Sequence, residues 1–339
     1  MSEYVDFNAL YPMKFKPIYQ ARIWGGTQMS EVLRREVPAA ADPIGESWEL
    51  VDREDEQSVL VNGPMAGRTM HELLKHYGRE LVGRKAKSTD RFPLLVKLID
   101  AGDRLSLQVH PDEAACREIG GTAEPKTEMW YIIAARKGAQ ILAGLQGRAT
   151  RQQLVSQLGS PDVENLLQVY PSQPGDAYFI SSGTLHAIGG GNLILEIQQN
   201  SDTTYRVSDW GRVDADGKSR QLHVELGMRS INFMNRTSPR IAGVAGTAQH
   251  NRKFDVVNMC PFFSVADLRL VSKWNDDTTP SGSFHLISTI NAPVRVGRAE
   301  DDRTVELAAG ETALVPAGFG AYVIEPLAEG ECAVVKTTL

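Results

Sequence analysis

From about residue 92 the apolar residues of this chain come in short runs of period two, broken by Gly, Pro and charged turns. FPLLVKLIDA (92–101), RLSLQVH (104–110), EMWYIIAA (128–135) and AQILAGL (139–145) each have the length and content of a strand. The pattern resumes in PGDAYFISSGTLHAIGGGNLILEIQQNSDTTYRVSDWG (174–211). Short strands at this spacing fold as a sandwich or jelly roll rather than as a βαβ sheet. The expected class is mainly β with helical additions. One addition is 69–83, where Thr69 and Glu72 make a capping box and Gly78 a stop or break. His71 and His76 on it are five apart and do not share a face, so they are not a metal pair. The other is the interruption at 150–170.

The chain turns polar and irregular around 235–250, and a soft boundary is expected there. Residues 1–240 are then one unit, with the helical additions inserted, and 250–339 a second, smaller β unit. GETALVPAGFGAYV (310–323) in the second parallels GDAYFISSGTLHAI (175–188) in the first. At the place of His186 the later copy has only Gly320 or Ala321. A duplicated β unit that has lost a polar site is the expectation.

The formal charge is -6 over 339 residues, without a Lys/Arg-rich run, which argues against a nucleic-acid surface. An anionic metabolite then needs a local cationic pocket. The three cysteines, Cys116, Cys260 and Cys332, form no CxxC pair and suit free thiols in a reducing cytosol. The N-terminus has no apolar core of signal-peptide length, and no run approaches the roughly 20 apolar residues of a membrane span. A cytoplasmic protein is expected.

In RLSLQVHPDE (104–113), alternation places Gln108 and His110 on one face, with Leu107 and Val109 on the other. Glu128 opens the next strand, and His186 follows the tight turn of SSGTLHAIGGG. Two imidazoles, a carboxylate and an amide oxygen suit Zn²⁺, with Fe, Mn or Co also open. Alternation alone leaves the alternative of a polar strand edge.

The surrounding words decide further. G-x5-Q-x-H, a later Glu, then P-G-D-x-x-x-I-x-x-G-x-x-H is similar to the two cupin motifs. KPIYQARIWGG (16–26), IGESWEL (44–50), PLLVKLIDA (93–101), LSLQVHPD (105–112), PKTEMWYI (125–132), GTLHAIGGG (183–191) and EIQQNSDTTYRVSDWGR (196–212) together resemble the type I mannose-6-phosphate isomerases in their shorter bacterial form. The helical insertion of the longer relatives is reduced here to 150–170. The resemblance implies a cupin-type jelly roll, duplicated, and a zinc enzyme with one ion per chain. It implies interconversion of mannose 6-phosphate and fructose 6-phosphate through an enediolate. The rivals are a non-catalytic sugar-phosphate or metal-binding cupin and an Fe(II) oxygenase. Gln108 as a fourth ligand argues against the oxygenase.

The resemblance also implies roles. Gln108, His110, Glu128 and His186 are the metal ligands, and Arg206 is the active-site arginine. Lys126 shares the side of Glu128 and is a candidate for proton or hydroxyl handling. Glu196 is the first choice as base, with Asp202 and His186 as alternatives. Ser106, on the face of Gln108, and Lys97 are candidate phosphate contacts. Lys97 sits in an apolar strand and needs an anionic partner: phosphate, Glu46 or Glu49. Trp24 and Trp48 are expected to pack the N-terminal segment over the cavity.

Overall fold

In the computed structural model the four runs between 92 and 145 become the strands Leu94–Ala101, Leu107–Val109, Glu128–Ala135 and Gln140–Leu145. The structure describes residues 10–40, 43–147, 149–158, 160–213, 217–235, 237–243, 249–298, 300 and 303–339. They divide into two compact units. One takes its residues from 19–47 and 97–243, the other from 1–18, 48–96 and 244–339.

The first unit is built on two antiparallel sheets. One runs, in spatial order, Tyr205–Ser208, Leu107–Val109, His186–Ile188, Gln140–Leu145, Leu167–Pro171. The other begins Arg240–Ile241, Ala177–Ile180, Glu128–Ala135, Asn192–Gln199, and of its remaining strands this unit holds residues 97–101, 44–47 and 19–21. Ile99, Trp130, Ile132 and Ile194 of the second meet Ile141 and Ile188 of the first in one apolar cluster, as in a sandwich.

The outer face of the five-stranded sheet is covered separately. Leu107 and Val109 are wholly buried there, against Leu154 of the helix Arg151–Gln157 and Met228 of the helix Val224–Ser230. Each such side chain contributes about 1.5–3 kcal/mol by leaving water. The alternation of RLSLQVH therefore has apolar residues under helices and polar ones facing the other sheet.

The stretch 150–170 is helical only in part. Thr150 caps Arg151–Gln157 through a capping box with Gln153, and a short 3₁₀ helix spans Pro161–Leu166. Residues Leu167–Pro171 are instead a strand, paired with Gln140–Leu145. Leu167, Val169 and Tyr170 suit a strand, and the free edge of Gln140–Leu145 gives their backbone a partner.

The second unit has a six-stranded sheet ordered Met13–Lys14, Thr312–Val315, His285–Thr289, Cys332–Thr338, Ser264–Leu270, Arg252–Val257. A four-stranded one is ordered Trp274–Asp277, Ala321–Pro326, Val294–Arg298, Arg303–Leu307. Leu268, Val315 and Val334 of one pack with Val296, Leu307 and Ile324 of the other. The capped helix Met70–Tyr77 also belongs here. Thr69 and Glu72 form the expected reciprocal bonds, and Gly78, at φ 52°, ends it.

Candidate active site and metal centre

Strand register sets out the site in two rows. Gln108 stands opposite His186 on one side and opposite Arg206 on the other. Cross-strand partners point to the same face, so Arg206, Gln108 and His186 form a row on the five-stranded sheet. In the facing sheet Glu128 is opposite Gln198, and Trp130 is opposite Glu196. His110 lies just past its strand and is held where Gly183 N–H donates to its carbonyl.

The rows converge on a buried cluster. His110 Nε2 is 3.4 Å from Glu128 Oε2, and His186 Nε2 is 3.3 Å from Glu128 Oε1. Two ligands each ~2.05 Å from a tetrahedral zinc stand about 3.3 Å apart. The second ring nitrogens are tied off: His110 Nδ1 is 2.9 Å from Thr203 O and His186 Nδ1 is 2.8 Å from Thr184 O. A carbonyl accepts only, so each Nδ1 carries the proton and each Nε2 keeps a lone pair for the cluster.

His110 Nε2 and both Glu128 carboxylate oxygens are buried without a hydrogen bond of good geometry. Burial pushes the His186 imidazole down to about 3 and lowers His110 too, so both rings are neutral near pH 7. Burial alone would raise Glu128, but Lys126 and the imidazole of His110 hold it well below the usual carboxylate range. Two neutral imidazoles, a carboxylate and three unsatisfied buried acceptors fit a divalent cation. They do not fit a satisfied polar core.

Gln108 completes the set. Its amide nitrogen is 3.2 Å from His186 Nε2, and its oxygen is 3.5 Å from Ser106 Oγ. A half-turn of the amide exchanges the two atoms and presents the oxygen to the cluster.

Beside the cluster is a cavity of about 350 Å³, lined by Trp24, Glu46, Lys97, Ser106, Gln108, Lys126, Glu196, Asp202 and Arg206 among others. Lys126 Nζ is 3.2 Å from Glu128 Oε2. Burial opposes its charge, yet Glu128 and Glu196 outweigh burial and hold the ammonium above the ordinary lysine value. Glu196 accepts from the Trp130 indole at 2.9 Å. Burial, then Glu128, pushes its carboxyl up, while Lys126 and Lys97 pull it back.

Lys97 is 3.8 Å from Glu46 and 3.7 Å from Glu196, so carboxylates already offset its charge. Ser106 is buried at 3% exposure, and Asp202 stands exposed where it lines the cavity. Trp24 lines the cavity as expected, whereas Trp48 packs instead with Val51 and Leu95 in the other unit. Its strand turns it toward that small apolar group. Three polar lining residues carry no recognised role in the sequence. Arg22, within the KPIYQARIWGG phrase, forks onto Glu46, both contacts being 3.2 Å. Thr204 stands just before the strand Tyr205–Ser208, where no alternation marks it. Arg220 follows an irregular polar loop that offers no periodic signal.

A family model described as the catalytic domain of type I phosphomannose isomerase matches residues 13–129. Over 326 residues, 94% of this chain and 97% of the relative, the chain is 36% identical to mannose-6-phosphate isomerase ManA of Bacillus subtilis (strain 168). This chain belongs to the type I phosphomannose isomerases. A mannose-6-phosphate isomerase of Streptococcus mutans is 37% identical over 254 residues, covering 75% of this chain and 77% of that one. The crystal structure of the Bacillus subtilis mannose 6-phosphate isomerase superposes with a TM-score of 0.83 at 32% identity, over 97% of this chain and all of that one. The two-sheet architecture is thus the cupin fold of the type I phosphomannose isomerases, a metal-dependent family.

Proposed function

We propose that this chain interconverts mannose 6-phosphate and fructose 6-phosphate through an enediolate, with one divalent ion per chain held by Gln108, His110, Glu128 and His186. The observation that carries the reading is the convergence of two lone pairs, His110 Nε2 and His186 Nε2, on the buried carboxylate of Glu128 beside a polar cavity. The N/O donor set, with His110 and His186 nitrogens 3.4 and 3.3 Å from the Glu128 carboxylate, supports zinc. When bound, the ion supplies Lewis-acid polarisation of the sugar's O1 and O2.

The chain's own groups do the rest. Glu196 takes the proton that moves between C1 and C2, for which a buried, raised carboxyl is suited. Oε1 of Glu196 is fixed by the Trp130 indole, which leaves Oε2 facing Lys97. Lys126, held as an ammonium, donates to the sugar oxygen that gains charge. Arg206 offers a guanidinium fork to the same oxygens from the facing sheet. Of the alternatives for base, His186 has both nitrogens engaged, and Asp202 is exposed at the cavity. Ser106 donates to the phosphate, and Lys97 shares its charge between Glu46, Glu196 and the substrate.

Residues 1–240 form the catalytic part in this reading, and 250–339 a degenerate copy. The successive strands Ala177–Ile180 and His186–Ile188, and likewise Thr312–Val315 and Ala321–Pro326, support it, since each two follow one of the parallel phrases and lie in different sheets of their unit. No helix of the described residues is long and apolar enough to cross a membrane. Free Cys116, Cys260 and Cys332 support a cytoplasmic setting, the net charge of -6 argues against a nucleic-acid surface, and the lysines and arginines that line the cavity support a small anionic substrate.

The test is turnover of fructose 6-phosphate to mannose 6-phosphate by purified protein, with and without a chelator. Turnover abolished by the chelator and restored by zinc is expected. A metal-loaded protein that binds the sugar phosphate without converting it would instead be the non-catalytic cupin.

A further inference from the structure

The cavity's charges are unevenly matched. Arg22 is paired with Glu46, Lys97 with Glu46 and Glu196, and Lys126 with Glu128. At the edge formed by Arg206 and Arg220 the balance is different. Asp209, only 5% exposed, is the common carboxylate of two arginines. Arg212 Nη2 donates to its Oδ1 at 2.6 Å, and Arg220 grips it with Nε, at 2.8 Å, and Nη2. Arg212 also reaches the exposed Asp103 at 3.4 Å, so two carboxylates serve Arg212 and Arg220, while Arg206, beside them, contributes a third guanidinium. Burial and the nearby Arg220 charge lower the proton affinity of Arg206.

Donors are left over on the cavity side. Arg206 gives Nη1 to Gln221 O at 3.0 Å, and its buried Nε has no partner. Arg220 commits Nε and Nη2 to Asp209, and its Nη1 has no hydrogen-bond partner among the described residues. Ser106 Oγ has only the long contact to Gln108. All three line the same cavity.

The clamp is braced. Trp210, next to Asp209, is a non-glycine residue at φ 59°, a left-handed conformation that L side chains rarely adopt. It is held there by its indole N–H donating to Leu105 O at 2.7 Å, beside Ser106, and by Arg104 stacked 4.5 Å over its ring. Backbone strain kept by such ties is the mark of a turn whose geometry is set for something.

We propose that Arg220, locked in place by the buried Asp209, is the residue that reads the substrate's phosphate in this site, and that Asp209 is its positioning residue. A phosphoryl group matches the surplus positive charge and the open guanidinium donors at this edge, and a planar fork matches its oxygens better than a point charge does. Lys97, neutralised by two carboxylates, brings no such excess. This deepens the isomerase reading and rests on it for the identity of the phosphate's carrier.

The test uses the full, metal-loaded chain. Calorimetry with inorganic phosphate gives a Kd that needs no turnover, and kinetics with fructose 6-phosphate gives KM and kcat separately. Arg220→Met is expected to weaken phosphate binding about tenfold and to raise KM by a similar factor, the loss falling mainly on KM. Arg220→Lys should recover part of both, and Asp209→Asn should weaken both while metal content stays at the wild-type level. Phosphate bound as tightly by Arg220→Met as by the wild type overturns the proposal, as does a wild type that binds no phosphate. So does a KM raised with the phosphate Kd unchanged, since Arg220 would then hold the sugar. If the wild type binds phosphate through Arg220 but converts no sugar, this proposal stands and the isomerase reading fails.

Discussion

At the scale of single residues, proton placement separates ligand from base. Thr203 O and Thr184 O each fix a proton on an Nδ1, which turns both Nε2 atoms toward Glu128. Removing a ligand and removing a catalytic cation therefore have different signatures. His110→Ala and Glu128→Ala should each lose bound metal, by elemental analysis of dialysed protein, and with it nearly all turnover. Arg206→Ala should keep one equivalent of metal and lose at least about a hundredfold in kcat, the scale of one preorganised charge partner. Loss of metal in Arg206→Ala would make that residue structural. That Ser106 and Gln108 line one cavity was legible because alternation is a rule about faces, whereas alternation alone left His110 open as a strand edge, and only the surrounding phrases joined it to Glu128 and His186. Arg220 was not legible, because it acts from a loop and is aimed by Asp209, eleven positions earlier, through a contact that no periodicity encodes.

At the scale of elements, the WGG of KPIYQARIWGG shows what a quoted phrase can hide. A Cβ on Gly26 would lie 2.1 Å from Asp100 Oδ1, so only glycine admits that carboxylate. Asp100, at the end of Leu94–Ala101, accepts from Met29 N–H at 2.7 Å and receives the short helix Gln28–Glu31. Burial raises its carboxyl to about 6, above the unfolded value. The folded state therefore holds this proton more tightly than the unfolded chain does. That stabilising term is complete below the unfolded pKa and is lost as pH rises through about 6. Asp100→Asn removes the titration, so its stability relative to wild type should improve by about 3 kcal/mol from about pH 4 to about pH 8. Urea unfolding of both proteins across that range measures it, and a gap that stays constant with pH would contradict it. The strands were legible from period and turn residues. The strand Leu167–Pro171 was not, because its apolar residues also suit a helix and only the free edge of Gln140–Leu145 decides between them.

At the scale of the whole molecule, antiparallel sheets close on two apolar cores, one within each unit. The polar stretch at 235–250 was visible in the sequence, and the division falls after residue 243. That residues 48–96 belong with 244–339 was not visible, because composition carries no record of which distant segments pack together. The cavity and the His–Glu–His cluster lie wholly in the unit formed from 19–47 and 97–243. The central claim is that this cluster holds the ion on which isomerisation depends. The direct measurement is to strip the protein of metal, return zinc in steps, and follow bound metal and fructose 6-phosphate turnover in the same samples. Turnover rising in proportion to bound zinc and levelling at one equivalent per chain is the predicted result. Full turnover by the stripped protein, or turnover that bears no relation to the metal bound, would contradict it.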